Sequence, residues 1–122
     1  MQTALADFIK NSPAGPIADK ILRSCVHCGF CTATCPTYQL LGDELDGPRG
    51  RIYQIKQLFE GAEPTHSMQV HLDRCLTCRS CETTCPSGVT YHTLLDLGRE
   101  HLEKLQPRPL SQRIFRATLR TV

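Results

Sequence analysis

With 122 residues, the chain has room for one compact domain and not for a second of full size. Hydrophobic residues make up 40% of it and tryptophan is absent, so its thin core needs a staple, and the eight cysteines are the candidate. A formal charge of +2 with no dense Lys/Arg block excludes a nucleic-acid binder, and only the tail leans basic, through Arg108, Arg113, Arg116 and Arg120.

The opening ten residues read as a short helix with Leu5, Phe8 and Ile9 inward. Asn11 to Pro16 (NSPAGP) is a breaker, and residues 1–16 are expected to be an N-terminal segment and linker. Ile17 to Ser24 is a short helix with Ile17, Ile21 and Leu22 at helical spacing. After a loop, Asp46-Gly47-Pro48 signals a helix start, with Asp46 as cap and Pro48 in the first turn. Ile52, Ile55, Leu58 and Phe59 form one apolar stripe, which Gly61 and Pro64 end. Ser67 to Arg74 is another short helix. Tyr91, Leu94, Leu95, Leu102 and Leu105 mark a long amphipathic one, stopped by Pro107 and Pro109. Residues 17–106 are expected to be the main domain. Residues 107–122 are a C-terminal helix or linker with Ile114, Phe115 and Leu119 on one face. No segment alternates with period two, so the expected class is all-α.

No stretch approaches membrane-spanning length, and MQTALADFIK lacks a signal-peptide pattern, so the chain reads as cytoplasmic. Disulfides seldom persist there, and dense cysteines argue instead for metal or redox chemistry. Cys25, Cys28, Cys31 and Cys35, then Cys75, Cys78, Cys81 and Cys85, both read C-x2-C-x2-C-x3-C-P, at an offset of 50 residues. Leu22 aligns with Leu72, Val26 with Leu76, Thr34 with Thr84 and Pro36 with Pro86. The repeat implies two copies of helix, loop and helix about a pseudo-twofold axis.

This spacing is that of two [4Fe–4S] clusters. Three cysteines at intervals of three wrap one cube, and in two-cluster ferredoxins the fourth binds the other cluster. Cluster 1 is therefore assigned to Cys25, Cys28, Cys31 and Cys85, and cluster 2 to Cys75, Cys78, Cys81 and Cys35. A zinc-stapled interaction module is the rival reading. Structural zinc sites need neither a third cysteine in the run nor the Cys-Pro.

Around the motifs, Val26, Phe30 and Leu76 are expected to exclude water. Gly29 admits close backbone approach, and its repeat partner Arg79 raises the potential of cluster 2 if it lies near. His27 reads as a surface residue of its loop. His66, His71, His92 and His101 read as solvated or capping residues, with His92 the one near a cluster motif. Arg49 and Arg51 divide between partner steering and structural ion pairing, and the C-terminal arginines read as a solvated face. No nucleophilic triad, phosphate loop or catalytic carboxylate pair is present, so no substrate site is expected in this chain.

The run CVHCGFCTATCPTYQLLGDELDGPRGRIYQIKQ (Cys25 to Gln57), with HLDRCLTCRSCETTCPSGVTYHTLLDLGRE (His71 to Glu100), resembles the N-terminal region of the iron–sulfur subunits of bacterial glycolate oxidase (glycolate dehydrogenase). The intervening LLGDELDGPRGRIY narrows the resemblance beyond paired-cubane proteins in general. It implies an alpha-helical ferredoxin fold and a longer native protein continuing into cysteine-rich repeats. It also implies partner subunits whose FAD oxidises glycolate, a two-cluster relay toward a quinone-linked acceptor, and peripheral attachment at the inner membrane through the complex. All eight cysteines match the family's ligand positions. The same relay in a glycerol-3-phosphate, lactate or disulfide-reducing complex is the alternative.

Overall fold

A computed structural model describes residues 1–122 in full, as eight α-helices and two short 3-10 turns with no strand. The first six residues are an extended strap, not helix. Its Ala6 amide donates to the Phe59 carbonyl (2.8 Å) and its Ala4 amide to the Glu60 carboxylate (2.7 Å). Helix α1 (Asp7–Lys10) is a single turn, so one side alone meets the core: Ile9 is buried and Phe8 exposed, against the expected inward trio. Helix α2 (Ala14–Ser24) begins earlier than Ile17, because Pro16 falls in the first turn, where its missing N–H is no loss. It buries Gly15, Ala18, Ile21 and Leu22, while Ile17 is exposed.

Glu60 anchors the strap. The Lys56 ammonium (2.5 Å) and the Ala4 amide hold its carboxyl below the usual range against the opposing effect of burial. Such a group stabilises the fold above its unfolded value of 4.5, and the contribution is lost as pH falls through the lower folded value. Glu60→Gln is expected to cost about 0.5 kcal/mol at neutral pH. Denaturation curves of both proteins should converge in acid.

Helix α3 (Pro36–Leu41) ends at left-handed Gly42, and a 3-10 turn (Glu44–Asp46) leads into α4 (Pro48–Phe59). The stripe Ile52, Ile55, Leu58 and Phe59 is buried as its spacing predicts. Gly47, not Asp46, is the residue that caps α4. Helix α5 (His66–Asp73) starts where the Thr65 hydroxyl accepts from the Met68 amide (3.1 Å). Helices α6 (Ser80–Thr84) and α7 (Tyr91–Leu105) follow. Along α7, Tyr91, Leu94, Leu95, Gly98 and Leu102 are buried, but Leu105 is exposed at the helix end. At Gly98 a Cβ would lie 2.7 Å from the Ile55 side chain, so α7 and α4 approach closely there.

Helix α8 (Leu110–Thr121) buries no residue, and Ile114, Phe115 and Leu119 are exposed. Arg108, just before it, is not on a solvated face: it is buried and donates to Asp73 (2.6 and 2.9 Å) and Glu103 (2.7 and 2.9 Å). No helix is long and apolar enough to cross a membrane.

Candidate metal centre

The internal repeat is present in the backbone itself. His27 and Thr77 (φ 58° and 56°), then Gly29 and Arg79 (φ 84° and 62°), occupy the left-handed region at matching places in the two cysteine loops. His27, Thr77 and Arg79 are the chain's only non-glycine residues there. Each such residue costs about 1–2 kcal/mol, and a β-branched threonine is especially ill suited. Strain confined to matched positions marks loops whose shape serves a site. Each loop then enters a helical turn, Phe30–Thr34 in one and α6 in the other. The turns meet across the pseudo-axis, where the Thr34 hydroxyl donates to the Ser80 carbonyl (3.3 Å) and the Thr84 hydroxyl to Thr34 Oγ1 (3.2 Å).

Two hollows open beside these loops. The first brings Cys25, Cys28 and Cys31 together with Cys85, and Cys81 also reaches its wall. The second brings Cys75, Cys78 and Cys81 together with Cys35. Cys81, Pro48 and Tyr91 line both and so stand between them.

All eight cysteines are free. Burial pushes the Cys31 thiol up, and Cys25 and Cys28 add to the effect as like charges. Burial likewise raises Cys81 to about 12, with Cys31, Cys75 and Cys35 contributing. The exposed Cys78 goes the other way, lowered by the Ser80 amide and hydroxyl. Cys31 and Cys81, buried beside other sulfurs, are held as thiolates most readily around a positive centre. A donor set of sulfur alone fits iron–sulfur clusters.

The surroundings differ from expectation in several places. Val26, Leu76 and Phe30 are 65%, 65% and 60% exposed. The first two form part of the hollows' walls, whereas Phe30 lines neither, so these three side chains do not seal the site. Arg79 lines the second hollow, but its guanidinium is largely exposed and donates to Glu82 (2.9 Å). Arg49 from α4 covers the first loop, donating to the His27 carbonyl (3.1 Å) and to Glu44 (2.6 Å). A Cβ on Gly29 would lie 2.7 Å from its Nη1, so glycine here admits an arginine. The first hollow therefore has Arg49 and the second has Arg79 and the buried Arg51, so both loops face a guanidinium and the contrast expected from Gly29 against Arg79 is not one of charge against none.

His27 lies against Tyr53 edge-on and contacts Met1 Sδ (3.2 Å), and burial followed by the Arg49 charge lowers its pKa. His92 binds Glu82 (2.5 Å), and His101 contacts the Leu97 carbonyl (2.9 Å) beneath Phe59. His71 is neither solvated nor capping: its Nδ1 binds the carboxylate of Asp46 (2.9 Å). Asp46 and Arg51 are each 1% exposed. Arg51 donates to the His71 carbonyl (2.8 Å) and to Thr37 Oγ1 (3.1 Å), while Arg74 donates to Asp46 (3.0 Å). Arg51 is thus structural. Sequence reasoning also passed over Tyr91 as a site residue: its hydroxyl donates to Cys75 Sγ (3.5 Å), and burial drives the phenol's pKa well above its usual value. Only its place in the repeat, opposite Leu41, hinted at asymmetry.

Residues 21–89 match the family model described as a 4Fe-4S dicluster domain. The chain is 66% identical, over its full length, to the glycolate oxidase iron-sulfur subunit of Escherichia coli, of which it spans 30%. It is 41% identical over 80% of its length to the probable glycolate oxidase iron-sulfur subunit of Bacillus subtilis, spanning 22% of that protein. A third relative belongs to the dihydromethanophenazine:CoB–CoM heterodisulfide reductase of Methanosarcina mazei; it is 31% identical over 68% of this chain, which spans 24% of that protein. The chain thus spans less than a third of the length of these curated relatives. No solved structure matches it. An all-helical chain with two matched four-cysteine loops, eight free thiols that fit two [4Fe–4S] clusters, and this match over residues 21–89 belongs to the 4Fe-4S dicluster domain family.

Proposed function

We propose that the chain is the electron-relay part of a flavin-dependent glycolate dehydrogenase, carrying cluster 1 on Cys25, Cys28, Cys31 and Cys85 and cluster 2 on Cys75, Cys78, Cys81 and Cys35. The observation that supports this ligand set is the exchange of fourth cysteines: Cys85 lines the hollow of the first motif and Cys35 that of the second. A bound [4Fe–4S] cluster supplies reversible uptake of an electron, while the protein sets its potential and access. The left-handed loop residues aim the thiolates, and buried Arg51 and Tyr91 brace the second hollow. Residues 17–106 then form the cluster-bearing unit, preceded by a strap and followed by a connecting helix.

Substrate oxidation belongs, on this reading, to FAD-bearing partner subunits, with a quinone-linked acceptor downstream and the complex cytoplasmic at the inner membrane. Glycolate is favoured over a disulfide-reducing complex by 66% identity against 31%. Purified without oxygen, the protein is expected to be brown, to bleach with dithionite and to hold about eight irons per chain. Cys35→Ser is expected to damage the cluster of Cys75, Cys78 and Cys81 and to spare the other, as read by EPR. Colourless protein with stoichiometric zinc overturns the reading, and damage to the cluster of Cys25 instead overturns the crossed ligand set.

A further inference from the structure

The two loops share their backbone but not their sulfur environment. Tyr91 is the first residue of α7 and 4% exposed, and its ring stands between the hollows. Its hydroxyl donates to Cys75 Sγ at 3.5 Å. Fifty residues earlier stands Leu41, which ends α3 where Tyr91 begins α7, so the halves diverge after the Cys-Pro; it is 48% exposed and has no polar group to offer Cys25. The pseudo-twofold is therefore broken around the sulfurs of the second motif: the buried Tyr91 hydroxyl meets Cys75 Sγ, and the Thr37 hydroxyl lies 3.3 Å from Cys35 Sγ. A buried phenol seeks an acceptor, and Cys75 Sγ is the one within its reach.

The geometry points to Tyr91 as a positioning residue for the second cluster, its buried hydroxyl raising the potential of the cluster held by Cys75 through a hydrogen bond to that sulfur, beside the Thr37 hydroxyl at Cys35. The physical cause is general. Reduction places added negative charge partly on the ligating sulfurs, and a donor fixed in a water-poor site stabilises that charge more than it stabilises the oxidised state. The exposed Arg79, engaged by Glu82, has less leverage than a donor sealed 3.5 Å from the ligand. The inference rests on the proposed ligand set, in which Cys75 holds cluster 2.

The test is Tyr91→Phe, which removes the hydroxyl and keeps the ring. In the complete iron-loaded protein, iron and sulfide content should stay unchanged. In redox titration followed by EPR, one midpoint should move to lower potential while the other stays in place. Electron–nuclear double resonance after exchange into D2O should show one exchangeable proton fewer coupled to the reduced cluster in the variant than in the unaltered protein, with those of Thr37 and Ser80 retained. Unmoved midpoints at full iron content overturn the role of Tyr91 and leave the relay intact. Midpoints that shift equally also overturn it, since a looser fold touches both. If the variant loads iron poorly, 3-fluorotyrosine at position 91, a stronger donor of nearly the same shape, should raise the same midpoint, and an unmoved midpoint overturns the inference. An unaltered protein without iron overturns the relay itself.

Discussion

Asp46→Ala is expected to cost about 3–5 kcal/mol of stability, because it strands a buried guanidinium. The Asp46 carboxylate is 1% exposed and accepts from His71 Nδ1 (2.9 Å) and Arg74 Nη1 (3.0 Å), with Arg51 Nη2 at 3.8 Å. Arg74 extends partly to solvent and can rehydrate. Arg51 cannot, since its side chain is as buried as the aspartate. Burial alone would raise the Asp46 pKa, but His71 and Arg74 outweigh it and hold the carboxyl below its ordinary value. Its contribution is accordingly present above the unfolded value of 3.8 and lost as pH falls through the lower folded one. In thermal unfolding of the iron-loaded protein at neutral pH, the midpoint should fall by roughly 15 °C. Asp46→Asn, which keeps the shape and one acceptor, should fall less. A loss below about 1 kcal/mol for the alanine variant would mean that Arg51 finds another anion, contrary to the network described.

Gly50→Ala is expected to cost about 3 kcal/mol, although alanine is the better helix former by about 1 kcal/mol. A Cβ at position 50 would sit 1.9 Å from the Glu44 carbonyl oxygen and 2.7 Å from its carbon. Both are backbone atoms of the turn that delivers Asp46, so no rotamer change relieves the clash. Either α4 or that turn must shift, and the Asp46 contacts shift with it. Gly42→Ala is the informative comparison. Nothing lies within 4 Å of a Cβ there, so only the left-handed φ of 67° opposes it, at about 1 kcal/mol. Urea denaturation of the two variants side by side should rank Gly50→Ala well below Gly42→Ala. Equal losses would show that the close approach of α4 to the turn carries no cost.

What the sequence by itself determined is what local spacing encodes. Cysteines three residues apart followed by Cys-Pro specify a cluster loop because the ligands of one cube come mostly from one short run. The repeat announced two such loops, and the stripe from Ile52 to Phe59 announced a core helix, because a helix writes its buried face at fixed intervals. Polar pairings across the fold leave no such mark. Asp46 looked like a cap from its neighbours Gly47 and Pro48, yet its partners lie 25 and 28 residues away. Arg108 looked like part of a basic surface, yet it bridges Asp73 and Glu103. Arg49 over Gly29, and Tyr91 against Cys75, depend on how α4 and α7 lie against the loops. Buried charges and hydroxyls must find partners wherever packing places them, and only the tertiary structure decides where that is.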